Sequence, residues 1–528
     1  MNQRFHLVVG ALVASILSGC HCTQIALICQ SNTDCTGGRV CVAGQCGFPG
    51  DGGGGDGGDG GDGGGGDGGC VNLQCNQVTC PDGGTTAITG TVYDPSGQVP
   101  IYNALVYVPN GPVSPFTPGV TCDRCAAFTS GSPLVVALTG ADGRFNLRNV
   151  PVMPDGGTLP LVIQVGRWRR QVALPGVPAC TSTPITDAGT TRLPQNQAEG
   201  DLPQMAIASG SADPFQCLLL KMGISTSEFT APGGGGRVHY FRSNGMDTSP
   251  PAQPITALLD DAGTLMNYDV VLLPCEGSEN RRTTGPEPQN LVAYTSAGGR
   301  LFTTHYGYSW LAFPENNPFP GTGVWAPGSC DAYATTLPTT VDQTFSKGIS
   351  FAQWLVNVGS STDAGTLNLI ESRHDLLFTD GGSQRWLYTN IPSAICPTQP
   401  QPAVLHMTFN TPLNPPPVDG GPGNQCGRVV YSDFHVSATA AGGGTFPTAC
   451  IPGALTAQEK ALLFMLMDVS SCVQADNPTC GTLGQSCTGS YHGTCCPPPP
   501  GFRANCCVLP SGSDCANGSN CTCQPCLQ

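Results

Sequence analysis

Two histidines and a glutamate stand where short apolar runs end. His305 follows Arg300-Leu301-Phe302-Thr303-Thr304, His435 follows Val429-Val430-Tyr431-Ser432-Asp433-Phe434, and Glu276 follows Val270-Val271-Leu272-Leu273-Pro274-Cys275. Imidazole titrates or coordinates near neutral pH, and a carboxylate shares both abilities. His305, His435 and Glu276 are therefore candidates for general acid–base work or for ligating a divalent metal ion. No other cofactor is expected. Cys275 offers a thiol next to Glu276, either as a displaced nucleophile or, with an even number of cysteines to pair, as half of a disulfide. A third reading leaves the histidines as hydrogen-bonded crevice residues with no chemistry.

The surrounding pattern supplies elements able to position these groups. Helices are expected over Asp213–Met222, Ile255–Met266, Gln289–Ser296 and Thr456–Val469, the last of them amphipathic. Strands are expected at Arg237–Phe241 and within Tyr268–Gly277, Gly298–Gly307 and Gly427–Val436. Helices alternating with short apolar strands predict a doubly wound α/β domain over 200–472, whose ligands lie beyond the strand C-termini. Residues 85–180 read differently. Ile88–Tyr93, Ala104–Val108, Leu134–Thr139 and Arg144–Leu147 are short β runs split by turns such as Asp94-Pro95-Ser96-Gly97, which predicts a β-sandwich. Trp168-Arg169-Arg170 is expected as a solvated strand end, with contact to an anionic glycan or a protein as the alternative.

Cysteine organises the rest. The chain has 528 residues, 29 of them cysteine, and only 11% charged, against about 25% in average soluble proteins. Gly (72) and Pro (48) are abundant, so loops and turns are extensive. A net charge of −15 with three lysines excludes a basic patch and argues against nucleic acid as a partner. So many thiols suit an oxidising exterior, where disulfides replace cores that small modules cannot build. A Cys-rich module (20–48) precedes a Gly/Asp tract (49–69) that reads as a self-repelling spacer, having no periodic apolar residue to build a calcium-binding roll. A Cys-rich connector follows (70–84). Cys122-Asp123-Arg124-Cys125 is expected to close a loop disulfide within the sandwich. The fold class is thus multidomain: a β-sandwich plus an α/β doubly wound domain, with small disulfide-rich modules at both ends.

Several segments resemble known families. Leu17-Ser18-Gly19-Cys20 ends an 11-residue apolar core that begins at Leu7, and it resembles a bacterial lipobox. That implies a signal peptide over 1–19, lipid on Cys20, export, and anchoring in an outer membrane or at the cell surface. Gly90-Thr91-Val92, Asn103-Ala104-Leu105-Val106, Asp142-Gly143-Arg144-Phe145 and Val150-Pro151 resemble the carboxypeptidase regulatory-like, transthyretin-like domain. In that family it is an accessory sandwich without catalytic residues, and no His-x-x-Glu zinc motif occurs in this chain. Tyr268–Leu272, Ala297–Leu301 with His305, and Gly427–Tyr431 resemble the class I glutamine amidotransferase-like fold, in particular its ThuA-like branch. That family places its nucleophilic cysteine where His305 stands here, and Phe434-His435 matches its triad histidine, with Ser437 in place of the glutamate. An ammonia-releasing thiol mechanism is therefore not expected.

The tail (480–528) carries Cys480, Cys487, Cys495, Cys496, Cys506 and Cys507 in a spacing similar to knottin frameworks. The whole resembles Cys-rich lipoproteins of the myxobacterial kind. The leading expectation is an outer-surface binding or structural lipoprotein, held to the membrane by its anchor, with a surface protein or carbohydrate as ligand. The alternative is an extracellular ThuA-like hydrolase or metal-dependent enzyme acting on carbohydrate. With Cys20 set aside, eight cysteines precede the sandwich, two lie inside it, eight run from Cys180 to Cys472 and ten lie in the tail; each block is even, which predicts closure within blocks and no free thiol.

Overall fold

The computed structural model describes residues 70–473, apart from positions 82, 124–128, 155, 245–246, 249–251, 282, 329–335, 391–401, 414, 416–423 and 437–444. It also describes the backbone of strands at 40–42, 45–47, 504–508 and 522–526. Cys20, the 1–19 leader, the Gly/Asp tract, Cys125, Cys480, Cys487, Cys495 and Cys496 lie outside the described residues, as do the side chains of Cys506 and Cys507. The chain divides into two compact units, Met1–Gly69 and Cys70–Gln528. In the first, Val40–Val42 and Gln45–Gly47 pair as an antiparallel hairpin.

The second unit is a multi-sheet β structure with few helices and several disulfides. Its first part holds β1 (Ala87–Thr91), β2 (Leu105–Pro109), β3 (Pro133–Leu138), β4 (Arg144–Arg148), β5 (Thr158–Val165), β6 (Trp168–Pro175) and β7 (Ser182–Pro184). They form a three-stranded sheet, β4-β1-β7, and a four-stranded sheet, β3-β2-β5-β6. Alternation does the sorting. In β4 the residues Phe145 and Leu147 are buried while Arg144 and Asn146 face solvent, and Ile88 joins them against Val106, Leu161 and Ile163 of the other sheet. The tip after β5 corrects the expectation for Trp168-Arg169-Arg170. Trp168 is fully buried, and Arg169 is 3% exposed, pairs with Asp201 at 2.9 Å and lies over the Phe116 ring at 4.0 Å. The solvated strand end is absent because these groups found partners within the fold.

The main sheet combines β8 (Met205–Ala208), β9 (Phe229–Thr230), β10 (Val238–Arg242), β11 (Gln253–Pro254), β12 (Val270–Leu273), β13 (Arg300–Thr304), β14 (Thr336–Val341), β15 (Thr366–Ile370), β16 (Gln384–Asn390), β17 (Pro402–Thr411) and β18 (Gly427–Ser432). The order is β9-β10-β8-β12-β13-β18-β17-β16-β14-β15, with β11 beside β10. Neighbours from β9 to β18 run parallel, and the last four strands continue antiparallel. Strands β8, β12, β13 and β18 are buried at every position, which is why β8 and β12 read as unbroken apolar runs, while β13 and β18 carry the buried Arg300 and Arg428 near their starts. Their side chains alternate between two cores. Met205, Ile207, Val270, Leu272, Phe302 and Val430 point to one; Ala206, Ala208, Val271, Leu273, Leu301 and Val429 point to the other.

Helices cover both faces. Helices α1 (Phe215–Lys221), α3 (Ser346–Asn357) and α4 (Ala457–Ser470) contribute Leu218, Trp354 and Leu466 to the first core, while α2 (Pro286–Ala297) contributes Leu291 and Tyr294 to the second. The helix expected over Ile255–Met266 is two short ones, Thr256–Leu259 and Ala262–Leu265. Asp261 breaks it, because its carboxylate caps Gly263 and Thr264. Helix α4 begins at Thr456, in a capping box with Glu459. It is buried almost all round rather than amphipathic, being wedged between the sheet, α3 and the sandwich; Tyr102 of the sandwich stacks on Phe464. Gly166, in the β5–β6 turn at φ +53°, sits against the Ser470 carbonyl where a Cβ would collide, so it is needed for this docking. Among the described residues no helix is long and apolar enough to cross a membrane.

Buried charges accompany this packing. Asp468 of α4 receives Lys347 at 2.8 Å and Arg428 at 2.7 Å. Burial opposes its ionised form, but the two cations outweigh that and hold the carboxyl below its usual range. Asp269 moves the other way: burial pushes it up to about 6 despite Arg167 at 2.9 Å. Burial likewise raises Asp213 and Asp433. A raised carboxyl pKa favours folding more as pH falls from about 6 towards the unfolded value near 4, whereas a depressed one loses its contribution below that value. Relative to Asp269→Asn, the unmodified chain is accordingly expected to gain melting temperature as pH is lowered from 7 to about 4.5, because the variant removes this one titration while the buried histidines titrate alike in both. Thermal scans of the two proteins across that range check it; a difference that stays flat, or that moves against the unmodified chain, contradicts it.

The disulfides correct two expectations. Cys122 pairs with Cys426, 304 residues away, and not with Cys125. The segment around Cys122 folds onto the main sheet, where Arg300 reaches the Asp123 and Cys426 carbonyls and so brings Cys122 beside Cys426. Cys80–Cys180 closes the sandwich from entry to exit, Cys217–Cys450 ties α1 to the segment before α4, and Cys70–Cys75 is local. Pairing thus crosses module boundaries. Cys275 is a free, buried thiol, against the expected disulfide and the expected absence of free thiols.

Candidate functional site

Three neighbouring parallel strands end together, and each delivers one side chain. Cys275 lies two residues beyond β12, His305 directly follows β13, and His435 lies three residues beyond β18. The His305 Nδ1 is 3.2 Å from the Cys275 Sγ and 3.0 Å from the His435 Nε2, and the three groups' donor atoms fall within 4.8 Å of one another. All are shielded, at 0%, 2% and 3% exposure for Cys275, His305 and His435. Each imidazole backs onto a carboxylate: His305 Nε2 is 3.6 Å from Asp375 Oδ2, and His435 Nδ1 is 4.0 Å from Glu371 Oε2.

Local geometry explains the convergence. His305 takes φ +36° as β13 turns into a 3-10 turn, a conformation that costs energy for a residue with a Cβ and that aims its ring back across the strand ends. Glu371, just after β15, is likewise left-handed at φ +54°. The Cys275 backbone is pinned by its N–H to the Thr304 hydroxyl at 2.9 Å, and that hydroxyl donates to Asp213. Asp213 also accepts the Val436 N–H at 2.8 Å, and Gln458 of α4 donates to the His435 carbonyl at 2.6 Å. The Gly277 N–H points at the Cys275 sulfur from 3.4 Å. The turn beyond each strand is therefore anchored to its neighbour.

The two histidines differ in charge. Burial pulls His435 down, but the neighbouring Cys275 sulfur and the Glu371 and Asp213 carboxylates raise it to about 10. Burial pushes His305 well below its ordinary value, and the neighbouring His435 and Arg373 charges push the same way. Glu371 is lowered chiefly by the His435 imidazole 4.0 Å away. These opposite shifts favour a charged His435 between a sulfur and a carboxylate, beside a neutral His305 imidazole with a lone pair to offer. Such a site can stabilise a thiolate, pass a proton, or coordinate a cation.

Glu276 is not brought into this group. Its carboxylate accepts from Ser243 at 2.7 Å and from Asn280, so it orders the neighbouring loop. The third member is Cys275, one residue earlier. Sequence reasoning missed Asp213, Glu371 and Asp375. The run Glu371-Ser372-Arg373-His374-Asp375 is a dense polar stretch, following an apolar strand, in a chain with few charges; that contrast was the available signal.

No family model matches the chain, and no curated protein sequence matches it. Among solved structures, a cytoplasmic protein from Salmonella typhimurium aligns with 51% of this chain and 99% of its own, at 10% identity and TM-score 0.26. A protein described as ThuA-like, from Bacteroides uniformis, aligns with 44% of this chain and 82% of its own, at 11% identity and TM-score 0.25. A second cytoplasmic protein from Salmonella typhimurium LT2 aligns with 44% and 88%, at 11% identity and TM-score 0.24. These are weak structural likenesses, and they include a ThuA-like protein.

Proposed function

We propose that this chain is an exported, lipid-anchored surface protein that serves as a binding or structural module. In this reading Cys20 carries the anchor and the Gly/Asp tract is the spacer. The sandwich is an accessory domain of the carboxypeptidase regulatory-like kind braced against a doubly wound, ThuA-like α/β body. Helices on both faces of a parallel sheet support the last element. The observation that carries the functional reading is burial: Cys275, His305 and His435 sit below 4% exposure, which keeps the thiol from any bulky substrate. Disulfides spanning 100, 233 and 304 residues suit a rigid body in an oxidising space. A surface protein or carbohydrate remains the proposed ligand class.

A second reading, a thiol-dependent hydrolase, is favoured by one observation. Cys275, His435 and Glu371 form a nucleophile–base–orienter sequence, with strained backbone at Glu371 and at the adjoining His305. One comparison decides between them. Purified protein and Cys275→Ser are assayed against chromogenic esters, amides and glycosides. Equal background turnover is expected; activity that disappears with Cys275→Ser overturns the binding reading. For the anchor, Cys20→Ala is expected to move the protein from the membrane to the soluble fraction, and retention in the membrane contradicts lipidation.

A further inference from the structure

We infer that Cys275, His305 and His435 form a zinc-binding site in which one ion clamps the ends of three adjacent strands. The first argument is stoichiometry at one atom. The His305 Nδ1 faces both the Cys275 Sγ at 3.2 Å and the His435 Nε2 at 3.0 Å. A ring nitrogen carries one hydrogen or one lone pair, so it can serve only one of these neighbours well. A cation inside the triangle serves all three at once.

The second argument is distance. With Zn–N of about 2.0–2.1 Å and Zn–S of about 2.3 Å, ligand atoms around a tetrahedral ion stand about 3.3–3.6 Å apart. The two separations from the His305 Nδ1, 3.2 and 3.0 Å, are within a few tenths of an ångström of that, and the third edge of the triangle lies within 4.8 Å, so filling the site needs only a modest adjustment. Donor type agrees as well: two imidazoles and one thiolate make a borderline-soft set that suits zinc and gives no advantage to magnesium or calcium.

The third argument comes from what stands behind the ligands. The far nitrogens of His305 and His435 face Asp375 and Glu371 at 3.6 and 4.0 Å, an arrangement of carboxylate behind histidine that fixes ring orientation in zinc proteins. Cys275 and His435 are further held by Thr304 and Gln458. The site also gives a reason for a reduced thiol in a disulfide-rich protein, since a metal-bound thiolate is withheld from pairing. Zinc enters by displacing protons from its ligands.

The test uses the full mature protein, refolded with zinc chloride and dialysed, with bound metal read by elemental analysis. About one zinc per chain is expected, lost in Cys275→Ser and in His435→Gln and retained in Glu276→Gln, whose side chain lies outside the triangle. Cobalt loading of the unmodified protein gives a reading that does not depend on whether the variants fold: a thiolate-to-cobalt charge-transfer band is expected. A protein that keeps no zinc, or that keeps it equally in Cys275→Ser, overturns the site, as does cobalt binding without the charge-transfer band. None of these readings depends on membrane anchoring or on hydrolysis, so failure here leaves the proposed function standing.

Discussion

Replacing Asp468 with alanine is expected to lower the unfolding free energy by about 3–5 kcal/mol, the cost of stranding buried charge. Lys347 and Arg428 both deliver cations to that carboxylate, at 7% and 2% side-chain exposure. The three groups come from α3, β18 and α4, so the carboxylate joins the sheet to two helices. Removing it leaves a buried ammonium and a buried guanidinium without their shared carboxylate, whereas exposed pairs lose little. Arg144 and Asp142, 3.7 Å apart and 78% and 49% exposed, serve as the control, and Arg144→Ala is expected to change nothing measurable. Urea denaturation of the three proteins checks both halves. Equal midpoints for Asp468→Ala and the unmodified chain contradict the account.

The second large effect concerns the covalent frame. The Cys122–Cys426 bond closes a 304-residue separation, the longest among the described disulfides, and Cys70–Cys75 closes five. If a disulfide acts mainly by restricting the unfolded chain, losing the long link costs about 5 kcal/mol and losing the short one about 2 kcal/mol. The paired replacements Cys122→Ser/Cys426→Ser and Cys70→Ser/Cys75→Ser separate these values in equilibrium unfolding without reductant. A short-loop variant that loses as much as the long-loop one shows that native contacts, and not loop closure, set the contribution.

Much of the framework was legible because it depends on local pattern. Buried parallel strands such as Met205–Ala208 and Val270–Leu273 announce themselves as apolar runs, and Thr456 with Glu459 marks the start of α4 three residues apart. His305 and His435 could be placed at strand ends for the same reason. What was not legible depends on non-local pairing. Nothing near Cys122 points to Cys426, and the nearby Cys125 offered an attractive but incorrect partner. Trp168-Arg169-Arg170 looked solvated because its partners, Phe116 and Asp201, lie far along the chain. Even cysteine counts suggested that every thiol pairs, yet parity within a segment says nothing about which sulfur the fold buries beside two imidazoles. Glu276 and Cys275 are adjacent, and only the direction each side chain takes after β12 decides which joins the histidines.

The central claim is that Cys275 is a reduced thiol enclosed with His305 and His435, held for binding or structure and not presented for attack. Mass spectrometry of the mature protein tests it most directly, with alkylation before and after unfolding, chelator present and reductant absent. The account predicts that Cys275 stays unmodified in the folded protein and is alkylated fully once it unfolds. Rapid alkylation of Cys275 in the folded state, or its recovery in a disulfide-linked peptide, contradicts it.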